Sequence, residues 1–66
     1  MTRRQWRAEV AKALILKNKS QTRMAVDLGY TTEYITKVMT GKRKGEPAVH
    51  AISKYLGIED YLGEAN

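Results

Sequence analysis

Gln21-Thr22-Arg23-Met24-Ala25-Val26-Asp27-Leu28-Gly29-Tyr30-Thr31-Thr32-Glu33-Tyr34-Ile35-Thr36-Lys37-Val38-Met39-Thr40-Gly41 is the stretch whose reading decides the fold. Ser20 stands before it as an N-cap, and the spacing predicts a short helix from Gln21 to about Leu28. Met24, Ala25 and Leu28 form its inward face. Gly29 ends it, because a helix end often needs a positive φ that a Cβ would strain. Thr31 then caps a helix from Thr32 to about Thr40, closed by Gly41. Ile35 and Val38 lie three apart and point inward there. Their β-branching mildly disfavours a helix, so packing must account for them.

Outward from this segment the pattern stays helical. Thr2-Arg3-Arg4-Gln5 fits a capping box. Trp6, Val10, Ala13 and Leu14 then recur on one stripe, which makes them core, while Arg7, Lys12 and Lys17 lie off it. This helix is expected to stop near Asn18. Downstream, Gly41-Lys42-Arg43-Lys44-Gly45 reads as a flexible basic loop. Pro47 suits the first turn of a further helix, whose stripe is Val49, Ile52, Tyr55 and Leu56 and which Gly57 ends. Ile58 through Leu62 would add one more turn, and 63–66 would fray. No stretch alternates with a period of two, so the class is all-α. The expectation is a compact bundle of four to five short helices, one domain over 1–66.

The chain has 66 residues, 42% of them hydrophobic and 29% charged, with no cysteine. No disulfide or cysteine-based zinc site can brace so small a core, so regular packing must hold it, aided by a second copy if at all. The longest apolar run, Ala13-Leu14-Ile15-Leu16, is far too short for a membrane span, and a cytoplasmic location is expected. The net charge of +5 is unevenly spread. Residues 1–45 carry eleven basic and three acidic side chains, for +8, whereas 46–66 carry −3. Such a positive body suits a polyanionic partner, nucleic acid being the simplest, although solubility alone could account for it.

The central segment resembles the helix-turn-helix of the phage repressor and Cro-like (lambda repressor-like) transcriptional regulators. The residues that carry the likeness are Gln21, Ala25, Gly29, the pair Ile35 and Val38, and the closing Gly41-Lys42-Arg43. It extends from the first helix to Pro47 and Tyr55-Leu56-Gly57-Ile58. Each matched position has a physical rationale. A small Ala25 lets Ile35 approach the backbone, and a larger residue would overpack the contact at about 1–3 kcal/mol. Two departures stand out: Lys19 takes a place usually apolar, so its stem is expected to cover core, and Met24 replaces the commoner leucine or valine.

The resemblance implies a helix-turn-helix over about 21–40, with the helix from Thr32 lying in the major groove of double-stranded DNA. With Ile35 and Val38 inward, Thr32, Glu33, Thr36 and Lys37 point away from the core. Similarity to the family makes Thr32, Glu33 and Lys37 base-reading positions, with Thr36 close by. Lys37 can donate to guanine, Glu33 can accept from cytosine, and a threonine methyl can pack on thymine. Family similarity assigns Gln21 to a phosphate; Thr22, Arg23, Tyr34, Thr40, Lys42, Arg43 and Lys44 are its candidate neighbours on the DNA backbone.

Plainer readings stand beside these. Glu33 complements a helix dipole by about 0.3–1 kcal/mol without any ligand. Lys37 is otherwise a solvated or phosphate-bound lysine, and Tyr34 either stacks at the groove edge or packs on the domain. Arg3, Arg4 and Arg7 either widen the basic surface or simply solvate the first helix, the simpler account.

The function implied is a sequence-specific regulator of the phage or prophage Cro/repressor kind, a homodimer on a palindromic operator. Ile58, Tyr61 and Leu62 are a candidate dimer surface or else a final turn capping the same monomer. The alternative is an antirepressor- or antitoxin-like protein-interaction module that keeps the scaffold and docks through Val26, Met39 or Tyr34. An enzyme is not expected. The single His50, set four residues after Glu46, reads as a surface pair or a solvated ring. No cysteine nucleophile, metal cluster, phosphate-cradling glycine pattern or deep small-molecule pocket is in view.

Overall fold

Three hydroxyl side chains begin three helices. The Thr2, Ser20 and Thr31 oxygens accept hydrogen bonds from the backbone N–H groups of Gln5 (3.2 Å), Arg23 (3.0 Å) and Tyr34 (3.1 Å). Each thereby satisfies one of the donors that a helix start leaves unpaired. Gln5 reaches back to the Thr2 N–H at 2.8 Å and completes the capping box. In the computed structural model, which describes residues 1–62, these helices are α1 (Arg3–Leu16), α2 (Gln21–Leu28) and α3 (Thr32–Thr40), followed by α4 (Glu46–Leu56). No strand occurs among the described residues, so the class is all-α. None of the helices is long and apolar enough to cross a membrane.

The helix ends follow the backbone needs anticipated above. Asn18 adopts φ 55° just beyond α1, and Gly29 adopts φ 80° after α2. The start of α4 is built differently. Gly45 is its N-cap at φ 49°, with no side-chain cap, and Pro47 lies in its first turn. A Cβ on Gly45 would stand 2.6 Å from Val38 Cγ2 and 3.2 Å from the Tyr34 hydroxyl. Glycine there is required by space as well as by conformation.

Every helix contributes to one core. Trp6, Val10 and Leu14 of α1 join Met24 and Ala25 of α2, Ile35, Val38 and Met39 of α3, and Ala48, Val49, Ile52 and Leu56 of α4. α1 packs on α4, α2 packs on α3, and α4 closes against both members of that second pair. Trp6 is fully buried, and its indole N–H donates to Ser53 Oγ at 2.8 Å. The Ser53 hydroxyl in turn donates to the Val49 carbonyl at 2.8 Å, so this internal polar pair leaves nothing unsatisfied.

Three expectations are corrected. Ile58–Leu62 forms no further helical turn. Gly57 terminates α4 in the left-handed conformation, and the Asp60 carboxylate takes the Leu62 N–H at 3.1 Å, a local alternative to a helical bond. The segment instead folds back on its own chain: Ile58, Tyr61 and Leu62 pack half-buried on the core, with the Tyr61 ring edge-on to Trp6 at 5.5 Å. Residues 63–66, expected to fray, lie outside the described residues. The Lys19 side chain is 40% exposed, with its ammonium over the Tyr55 ring and engaged in a polar cluster described below. Met39 is buried in the core, and His50 meets Asp60 at 3.4 Å, not Glu46.

Candidate nucleic-acid interface

α3 turns two faces in different directions. Ile35, Val38 and Met39 are buried, while Thr32, Glu33 and Thr36 are exposed and Lys37 is half-buried. Helical geometry requires this: three residues three or four apart cannot sit in the core unless those between them face out. α2 and α3 are joined by only Gly29, Tyr30 and Thr31, and they pack against each other.

Gln21 and Thr36 meet across the two helices. The Gln21 side-chain amide donates to Thr36 Oγ1 at 3.0 Å, and that hydroxyl donates to the Thr32 carbonyl at 3.0 Å. The Thr36 proton is thus committed inside the protein, and what the residue offers outward is chiefly its methyl. Thr40 behaves similarly, its hydroxyl reaching the Thr36 carbonyl at 2.9 Å and the Lys37 carbonyl at 3.3 Å. Thr22 is exposed beside Gln21 at the start of α2.

The basic loop is held to the far end of α3. The backbone N–H groups of Lys42 and Arg43 both donate to the Lys37 carbonyl, at 2.9 and 3.2 Å, while the Lys42, Arg43 and Lys44 side chains stay exposed. Arg3 joins them. Its guanidinium lies directly over Gly41, in the space a Cβ would occupy there. An open concavity of about 250 Å³ beside it is lined by Arg3, Arg43, Lys44, Glu46, Tyr61 and Leu62. No carboxylate pairs with Arg3, Arg43 or Lys44 among the described residues. From the sequence, Arg3 either widens the basic surface or solvates the first helix, the second being the simpler account. The signal that could have found it is the glycine after α3, the residue type that leaves room for a guanidinium on the backbone.

Arg23 and Tyr34 stand apart from this ridge. Arg23 is two residues from Gln21, about 200° around the helix at 3.6 residues per turn, and its Nε pairs with Asp27 at 3.2 Å. Asp27 also accepts from the Tyr55 hydroxyl and lies 3.6 Å from Lys19, whose Nζ donates to the same hydroxyl at 3.0 Å. The Tyr55 hydrogen bond, with Arg23 and Lys19 beside it, holds the Asp27 carboxyl below the usual aspartate range. The Tyr55 hydroxyl, with Asp27, raises Lys19 above the usual lysine value. Tyr34 is half-buried on the core, its ring 5.3 Å from that of Tyr30.

Among the described residues no three His, Asp or Glu side chains come together as a group able to hold a metal ion. Comparison of the chain with protein-family models, with curated proteins and with solved structures finds no match.

Proposed function

We propose that this chain is a sequence-specific double-stranded DNA-binding regulator of the Cro/repressor kind, with α2, Gly29–Thr31 and α3 as its helix-turn-helix and α3 as the reading helix. One observation carries the proposal: an exposed helical ridge of Thr32, Glu33 and Thr36 is bracketed by hydrogen-bond donors at one end and, at the other, by cations that pair with no carboxylate among the described residues. Gln21 and Thr22 at the start of α2 are suited to one phosphate, which the free N–H groups of that helix also favour. Arg3, Lys42, Arg43 and Lys44 are suited to the phosphates at the other side. These contacts set register and supply most of the affinity, and the ridge between them reads base edges.

In this reading Lys37 and Glu33 address guanine and cytosine respectively, and Thr36 presents its methyl to a thymine. A domain with one reading helix gains length of recognition by pairing, so the active species is a homodimer on a two-fold operator, its half-sites about 34 Å apart. Of the residues named for the protein-docking alternative, Met39 is buried and Tyr34 half-buried, while Val26 is exposed.

Selection of bound duplexes from a random pool is the decisive experiment. Enrichment of a palindromic site is the expected result. An unenriched pool, together with duplex binding that does not depend on salt, would refute the proposal.

A further inference from the structure

Two of the largest exposed apolar side chains lie side by side at the end of α1. Ile15 is 78% exposed and Leu16 75%. Leu16 borders a shallow groove of about 360 Å³, whose other walls are Glu9, Lys12, Ala13, Lys17, Leu56 and Ile58. The α1 members of this set fall at positions 9, 12, 13, 16 and 17, which is one continuous helical face. Tyr61 and Leu62 are already engaged with their own core, so they leave less apolar surface for a partner than the end of α1 does.

We infer that this face of α1 is where a second copy of the chain docks, with the two α1 helices antiparallel about a two-fold axis level with Ala13, midway between Glu9 and Lys17. The inference rests on the dimeric reading proposed above and names its surface. Charge order along the helix selects the occupant. Glu9 lies four residues before Ala13 and Lys17 four residues after it, so an antiparallel mate sets Glu9 of each copy opposite Lys17 of the other. A two-fold contact needs this self-complementarity, because each residue meets its counterpart's partner twice. Neither Glu9 nor Lys17 has an ion-pair partner within its own chain among the described residues. Ala13 itself is buried and forms the floor of the groove, so the contact is made by the side chains that flank it. Leu16 of each copy then lies over the groove of the other, against Ile58 at its edge with the buried Ala13 and Leu56 beneath, and Lys12 extends its ammonium to the rim.

Sedimentation equilibrium of the full chain without DNA tests this surface directly. The wild-type protein is expected to form dimers, and Leu16→Glu to weaken association by at least about tenfold with an unchanged helical circular dichroism spectrum. Glu9→Lys and Lys17→Glu should each weaken it, and the double exchange E9K/K17E should restore it. The inference is overturned by a wild-type chain that stays monomeric up to millimolar concentration, by L16E dimers as tight as wild type, or by a double exchange no better than the single ones. Binding of L16E to a duplex carrying one half-site is read separately. Retention there with loss of preference for the full palindrome supports the inference. Absence of duplex binding in the wild type counts against the regulator reading alone and leaves the sedimentation outcome to decide the surface.

Discussion

Ser53 is a small residue with a large internal role. Replacing it with alanine would leave the Trp6 indole N–H, now bonded at 2.8 Å, buried and without a partner. The expected cost is about 1–3 kcal/mol by chemical denaturation, and Trp6→Phe/Ser53→Ala should cost less than the sum of the two single changes. The glycines make a second contrast at this scale. At Gly29 (φ 80°) nothing lies within 4 Å of an added Cβ, so Gly29→Ala meets conformational strain alone, about 1–2 kcal/mol, with Gly29→Asn milder and Gly29→Val worse. At Gly45 the same strain is joined by collision with Val38, adding about 1–3 kcal/mol, so G45A should unfold at clearly lower denaturant than G29A. For recognition, Lys37→Ala should relax preference at one base pair by about 1–3 kcal/mol. Lys42→Ala should instead weaken every duplex alike and lower the salt slope, as Arg3→Ala should if its guanidinium reaches a phosphate. Competition binding against single-base variants separates the two classes.

Among the elements, α2 and α4 are joined on the outside by a pH-sensitive clasp of Lys19, Arg23, Asp27 and Tyr55. Because the Asp27 pKa is lowered on folding, its contribution is complete above the ordinary aspartate range and is lost as pH falls through the folded value. Because the Lys19 pKa is raised, its contribution is complete below the ordinary lysine value and is lost as pH rises through the folded value. Thermal unfolding of Asp27→Asn should therefore be displaced from wild type by a constant amount near neutrality, with the gap closing in acid. A gap that is independent of pH down to the acid limb would show the clasp to be idle. Much at this scale was legible in advance. α2 and α3 begin and end where Ser20, Gly29, Thr31 and Gly41 said they would. The clasp was not legible, because Lys19 and Tyr55 are 36 residues apart and nothing local announces their meeting. A lysine at an apolar position implied a covering stem, and only the fold shows the polar company of its head.

For the whole molecule, a net charge of +5 per chain, concentrated in its first 45 residues, governs how it meets a polyanion. If several phosphates are neutralised per dimer, log K should fall against log salt with a slope of about −0.9 for each. Filter binding across a salt series reads this directly, and a slope near zero would remove the electrostatic half of the proposed interface. The outward ridge of α3 was readable from periodicity, since buried Ile35 and Val38 oblige Thr32, Glu33 and Thr36 to face solvent. Helix boundaries and the apolar stripes were likewise set by the chain itself, through caps, glycines and the 3.6-residue repeat, which act over a few residues. Which cations share a surface was decided only in three dimensions. Arg3 reaches the turn after α3, Arg23 turns to Asp27, and the last described residues return to Trp6. Such pairings depend on how helices dock, and docking is fixed by the packing of side chains distant in sequence, which no local pattern records.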